Sequence, residues 1–205
     1  MKKTISPFKS FPLIAATLAT VIIYGLAVRP AEAGYIVTLE QDGPNVVATG
    51  SGPLDLTGLI FIGSDFGGPV IAPDNALIVT GATGFFWDFS GFSTISGPTS
   101  FGHGARPAFG GTGDHVGIDG ISQLLFVPQN YVSGDPLSDS ATYPFQTLST
   151  LGVIPGTYKW TWGSGANQKF TLIAAVPDSG CTLGLLFVSL IALFGVSRLR
   201  AQQLA

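Results

Sequence analysis

Short apolar runs, broken repeatedly by glycine and proline, constrain the fold of this chain more than any other feature. The 205 residues include 28 glycines and 14 prolines. Glycine weakens a helix interior and proline removes one of its hydrogen bonds, so both residues interrupt helices. Between residues 34 and 175 no stretch carries a 3.6-residue apolar period long enough for a helix. This part of the chain is therefore predicted to be all-β.

Alternating side chains indicate where the strands lie. Residues 35–40 alternate between two faces, and residues 46–49 resume the pattern after a Gly-Pro link, which predicts a hairpin. Long loops are expected at residues 96–113 and 132–142, where Asp135-Pro136 starts a turn. Many short strands separated by turn signals indicate one β-sandwich or jelly-roll-like domain over residues 34–175. Further strands are predicted at residues 58–62, 76–80, 85–89, 116–126, 157–162 and 169–176.

The charge of this domain limits its partners. Residues 34–175 hold ten acidic and three basic side chains, a net charge of −7, whereas the whole chain has −3. Such an acidic domain is not expected to bind nucleic acid or an anionic membrane surface.

The first 33 residues have the pattern of a secretory signal peptide. Lys2, Lys3 and Lys9 precede an apolar region at residues 11–28, and Ala31-Glu32-Ala33 forms a small-x-small cleavage site. Cleavage by signal peptidase after export through the Sec machinery would leave Gly34 as the first residue. The alternative is an uncleaved anchor, because the apolar region is long for a signal peptide.

The last thirty residues have three parts: a short motif at 176–182, an uncharged apolar stretch at 182–197 and a basic tail at 198–205. A helix over the apolar stretch would be about 24 Å long, near the lower limit for crossing a bilayer. Arg198 and Arg200 would then stay on the cytoplasmic side and orient the helix, so that the domain lies on the other side. The alternative is a buried C-terminal helix of a soluble domain.

The motif consists of Val176, Pro177, Asp178, Ser179 and Gly180. This motif, the apolar span and the basic end, in this order, resemble the PEP-CTERM class of bacterial sorting signals, in its VPDSG-CTERM variant. The resemblance implies that an exosortase, a membrane-embedded transpeptidase-like enzyme, recognises the motif and sends the carrier protein to the cell surface or the extracellular polymer. Residues 155–163 and 45–52 also resemble segments of short proteins of this class, whose molecular activity is unassigned.

The lone cysteine, Cys181, follows the motif directly. It is expected to pack as a small apolar residue at the mouth of the helix, and lipid attachment or a reactive thiol is the alternative. With no second cysteine, the exported domain contains no disulfide.

No motif for catalysis or metal binding stands out. No serine lies in Gly-x-Ser-x-Gly, and no pair of acids marks a glycosidase. His103, Asp114, His115 and Asp119 match no zinc spacing, and no calcium loop is present. The chain is therefore predicted to be a non-enzymatic protein without a cofactor or a metal.

Two alternatives concern the domain itself. Trp87, Trp160 and Trp162, with Phe85 and Phe89, are candidates for a flat platform on which an extracellular polysaccharide stacks. The opposing interpretation places these rings in the core between two sheets. The other alternative is a periplasmic domain that stays anchored by its tail.

Overall fold

The computed structural model describes residues 34–91 and 94–175, which form an all-β structure of two sheets. A short 3₁₀ helix, Pro73–Asn75, separates two of the strands. Within the described ranges, no helix is long and apolar enough to cross a membrane. The strands are β1 (Tyr35–Asp42), β2 (Asn45–Pro53), β3 (Ile60–Gly67), β4 (Val70–Ala72), β5 (Leu77–Thr80), β6 (Gly84–Ser90), β7 (Arg106–Pro107), β8 (Gly110–Gly113), β9 (Val116–Asp119), β10 (Leu124–Pro128), β11 (Pro136–Tyr143), β12 (Gly156–Thr161) and β13 (Lys169–Ala175).

The first sheet has six strands in the order β12, β13, β1, β2, β11, β8. The predicted hairpin is present, since β1 and β2 pair antiparallel with Asp42 opposite Asn45. The last strand, β13, lies beside the first and runs parallel to it, with Phe170 opposite Tyr35. The second sheet is antiparallel throughout and has seven strands in the order β3, β6, β10, β9, β5, β4, β7.

One face of each sheet contributes to a shared hydrophobic core. Along β1 the buried side chains are Tyr35, Val37 and Leu39, every second residue, and β2 and β11 show the same alternation. Apolar residues of the second sheet, such as Ile78 and Leu125, belong to the same buried cluster. The arrangement is that of a β-sandwich.

Three of the sequence predictions about strands and loops are corrected. The expected loop at 132–142 is largely strand β11, a central strand of the first sheet. Its inward positions are Leu137, Asp139, Ala141 and Tyr143, and the acid Asp139 interrupts the apolar run that would have predicted a strand. The expected loop at 96–113 contains the short strands β7 and β8, and the run at 116–126 is the hairpin β9–β10.

Several predicted features lie outside the described residues. They are the signal peptide with Ala31 and Ala33, the motif 176–182 with Cys181, the apolar stretch 182–197 and the basic tail with Arg198 and Arg200.

Candidate functional site

The second sheet carries an aromatic surface, formed by Phe61 and Phe66 of β3 and Phe85, Trp87 and Phe89 of β6. Phe61 lies opposite Phe89 and Phe66 opposite Phe85 in the β3–β6 ladder, so all five rings project from one face. The centroid of the Phe61 ring lies 5.6 Å from that of Trp87 and 5.7 Å from that of Phe89. The rings of Phe66 and Phe85 are 5.1 Å apart. All three contacts are edge-to-face, the geometry that aromatic pairs favour.

The outer part of this surface is open to solvent. Phe61, Phe66 and Phe85 are each more than half exposed, while Trp87 and Phe89 are partly buried against the core. Large aromatic side chains are usually buried, so three exposed ones on neighbouring strands mark an unusual feature.

Local sequence explains why the rings share a face. In β6 the aromatic residues Phe85, Trp87 and Phe89 are two positions apart, which places them on one side of a strand. In β3 the ladder shifts between Phe61 and Gly63, so Ile62 is an extra residue. This bulge lets Phe61 and Phe66, five positions apart, point to the same side.

The opposite face of β6 carries Phe86 and Asp88 and does not belong to the aromatic surface. Phe86 stacks on the buried ring of His115, with centroids 4.4 Å apart and planes at 4°. Asp88 lies on this face, where partial burial and then the charge of Asp65 raise the pKa of its carboxyl group. The two acids are therefore separated from the aromatic surface by the sheet itself.

The three tryptophans do not form one platform, which corrects the predicted sugar site. Trp160 is fully buried in the first sheet, and its indole N–H donates to the carbonyl oxygen of Pro98 at 2.8 Å. Trp162 is also buried and donates to the carbonyl oxygen of Asp55 at 2.7 Å. Trp87 lies on the other sheet. Buried indoles need a hydrogen-bond acceptor, and both have one inside the protein, where no sugar reaches them.

A buried acid lies in the core, where sequence reasoning did not place a polar group. Asp139 of β11 is buried, and one of its carboxylate oxygens accepts a hydrogen bond from the Tyr35 hydroxyl. Burial raises the pKa of Asp139 to about 6, although the hydrogen bond from Tyr35 acts in the opposite direction. Burial, and then the charge of Asp139, raises the pKa of Tyr35 well above its usual value. Gly50 lies beside the pair, where a Cβ atom would be 2.5 Å from the other carboxylate oxygen of Asp139.

The residues considered for metal binding do not come together. Nδ1 of His115 lies 3.0 Å from the carbonyl oxygen of Ala82, and burial lowers the pKa of this imidazole. Asp114 accepts a hydrogen bond from the N–H of Ser138, and Asp119 accepts one from the N–H of Ser122. His103 lies elsewhere. It lines a groove of about 550 Å³ together with Gln41 and residues of the segment 147–155. Among the described residues, no three acidic, histidine or cysteine side chains are grouped as ligands of one ion.

Comparison with known proteins finds no match. No family model, no curated protein and no solved structure matches this chain.

Proposed function

We propose that this chain is the precursor of an exported, non-enzymatic protein, a β-sandwich that a removable C-terminal signal delivers to the cell surface or the extracellular polymer. The observation that carries the proposal is the sorting motif, Val-Pro-Asp-Ser-Gly at 176–180, followed by the apolar stretch and the two arginines. In this scheme an exosortase-type membrane enzyme cuts within or near the motif, and the catalytic cysteine belongs to that enzyme rather than to Cys181.

The ends of the sandwich support this division of the chain. β1 begins at Tyr35, one residue after the first residue expected to follow signal-peptide cleavage. The N–H of Gly34 donates to the side-chain oxygen of Asn167 at 3.1 Å, and a free amino group at this position retains a hydrogen to donate. β13 extends to Ala175, so the motif follows the last strand of the first sheet directly.

Each part of the tail then has a physical role. Pro177 and Gly180 disfavour both helix and strand, so we expect the motif to be accessible to the enzyme. The apolar stretch holds the precursor in the inner membrane, and Arg198 and Arg200 orient it. After cleavage the acidic domain is released from the membrane and moves outward.

Mass spectrometry of the C-terminus tests this proposal. In the surface fraction of cells that contain the sorting enzyme, we expect a C-terminus within residues 176–181. In cells without the enzyme, the membrane fraction should contain the chain up to Ala205. The variant Pro177→Ala/Asp178→Asn should accumulate uncut in the membrane, because the recognised motif is lost.

The control is Asp135→Asn, which changes an exposed aspartate in the loop before β11 and should be processed normally. A surface fraction that ends at Ala205 would show that the tail is a permanent anchor, as in the alternative of a tail-anchored periplasmic domain.

The aromatic surface favours a second function, binding of an extracellular polysaccharide. Phe61, Phe66 and Phe85 offer exposed aromatic rings, on which the apolar faces of sugar rings stack. Ser64 lies between Phe61 and Phe66, opposite Trp87, and adds a hydroxyl group on the same face. This site replaces the predicted platform, of which only Trp87 with its neighbours Phe85 and Phe89 remains.

The double variant Phe66→Ala/Phe85→Ala tests this second function. Each lost ring is worth about 1 kcal/mol, so we expect the two together to weaken polysaccharide binding roughly thirtyfold, measured by affinity electrophoresis with polymer from the producing cells. Phe109→Ala is the control, because Phe109 is even more exposed but directly precedes β8 of the first sheet. Equal mobility of the protein with and without polymer would remove the basis for this function.

A further inference from the structure

The end of the first sheet at which the chain leaves the sandwich has a distinctive surface. Ala175 lies opposite Glu40, near the end of β1. The register of the other strands brings the β1–β2 turn, the end of β11 and the beginnings of β8 and β12 to the same end. We call this the exit end, defined by Ala175, Asn45, Tyr143, Gly110 and Gly156.

Three large apolar side chains project at the exit end. Phe109 precedes β8 and is 88% exposed, Phe145 follows β11 and is 84% exposed, and Ile154 precedes β12 and is 54% exposed. Isolated exposed apolar residues are common, but three of them at one end of one sheet form a pattern.

The backbone at these three positions is held by hydrogen bonds. The N–H of Phe109 donates to the carbonyl oxygen of Thr142 at 3.0 Å, and that of Phe145 donates to the side-chain oxygen of Asn45 at 3.2 Å. The N–H of Ile154 donates to the carbonyl oxygen of Phe101 at 3.0 Å, and its own carbonyl oxygen accepts the Tyr158 hydroxyl at 2.8 Å. Phe145 has a φ of 55°, a left-handed conformation that costs about 1 kcal/mol for a residue of this size. The projecting side chains are therefore fixed on the end of the sandwich rather than carried on free loops.

Their spacing covers the full width of the sheet. Ile154 adjoins β12 at one edge, Phe109 adjoins β8 at the other, and Phe145 lies between them beside β2. At ~4.8 Å per strand, the six strands span roughly 24 Å. The chain leaves the domain at Ala175, the last residue of β13, which lies between β12 and β1 and therefore between Ile154 and Phe145.

The length of the tail limits how far this end can lie from a bilayer. Only seven residues, 176–182, separate Ala175 from Leu183, where the apolar stretch continues without a charge. Fully extended, they reach about 25 Å, at most 3.6 Å per residue. A domain held by so short a link meets the membrane with the end from which the link emerges.

We propose that the exit end rests on the membrane leaflet entered by the tail, with Phe109, Phe145 and Ile154 inserted among the lipid headgroups. The inference rests on the proposed function, because it requires the apolar stretch to cross the membrane. The charged side chains at this end are Glu40, Asp42 and Arg106, which lines a groove with Phe109 and Tyr143. Two acids and one base leave a net charge of −1, which gives no attraction to anionic lipid, so the contact is apolar. The sandwich then stands on this end and presents the sorting motif at the membrane surface, where a membrane-embedded enzyme can reach it.

An environment-sensitive fluorophore on the full chain tests the contact. In a Cys181→Ser background, the label is attached at Phe145→Cys, and the chain is purified from membranes and reconstituted in vesicles of phosphatidylcholine and phosphatidylglycerol. We expect label emission to rise several-fold, shift to the blue and be quenched by brominated lipid. The matched control is Val132→Cys, an exposed apolar site in the loop before β11, at the opposite end of the sheet.

Flotation of the vesicles reports separately on the tail. The variant Leu186→Asp/Leu190→Asp places two charges in the apolar stretch, and we expect it to abolish the lipid signal at position 145. A chain that floats while the label at 145 stays in water would overturn the docking inference and leave the proposed anchor intact. A wild-type tail that does not insert would overturn both. At about one chain per vesicle, two copies of the protein cannot meet. A fluorescence change at position 145 that disappears under this condition would assign the exit end to contact with a second copy and contradict the inference.

Discussion

Replacement of Trp160 by alanine is expected to destabilise the sandwich by about 3–5 kcal/mol, which is the usual cost of truncating a buried tryptophan. The Trp160 ring is fully buried and meets Phe101 and Phe170 at centroid distances of 6.4 and 6.0 Å. Its indole N–H also donates to the carbonyl oxygen of Pro98, in the segment between β6 and β7 of the second sheet. The substitution thus opens a cavity and leaves the Pro98 carbonyl oxygen without this donor. Urea unfolding measures the loss as a lower midpoint.

Two further variants separate the contributions to this loss. Trp160→Phe retains most of the packing but removes the hydrogen bond to Pro98, so we expect a smaller loss of about 1–3 kcal/mol. Phe145→Ala changes an exposed ring and should alter the free energy of unfolding by less than about 0.5 kcal/mol. A Trp160→Ala protein as stable as the wild type would contradict the buried position of Trp160. The residue would then again be a candidate for the predicted polysaccharide platform on the surface.

The buried acid is expected to make folding depend on pH. The pKa of Asp139 is about 6 in the folded protein, against an ordinary value of 3.8, so the folded state favours the protonated carboxyl group. The resulting stability is present below pH 4 and is lost as the pH rises through 6. With about 1.4 kcal/mol per pKa unit, the loss between pH 4 and 7 is about 3 kcal/mol.

Asp139→Asn isolates this contribution, because asparagine resembles the protonated acid. The stability of the variant relative to the wild type should increase between pH 4 and pH 7, measured by urea unfolding at each pH. Tyr35→Phe is the second variant. Since the Tyr35 hydrogen bond lowers the pKa of Asp139, its removal should move the pH-dependent loss to higher pH. A difference between Asp139→Asn and the wild type that stays constant over this range would refute the interpretation.

Strands with regular alternation were predictable because their inward residues are uniformly apolar. The hairpin of β1 and β2, the aromatic strand β6 and the final strands β12 and β13 all follow from period-two patterns. β11 did not follow, because the inward acid Asp139 breaks its apolar run. The approach of Tyr35, across β2 in the same sheet, and of Thr80 from the second sheet gives Asp139 hydrogen-bond partners and makes its burial tolerable.

The aromatic residues also show which features the sequence predicts and which depend on the tertiary structure. Alternation alone places Phe85, Trp87 and Phe89 on one face of β6. It places Tyr158 and Trp160 on one face of β12 just as clearly. The sequence by itself determined the all-β class, the faces of the aromatic strands and the motif that predicts a sorted precursor. Only the tertiary structure decided that Trp160 is covered while Phe85 is exposed, and that Phe109, Phe145 and Ile154 all lie at the exit end. The physical reason is that the exposure of a side chain depends on which strand or sheet lies opposite its face. Segments that are distant in sequence form that contact, and the residue pattern of either segment does not show which partner it meets.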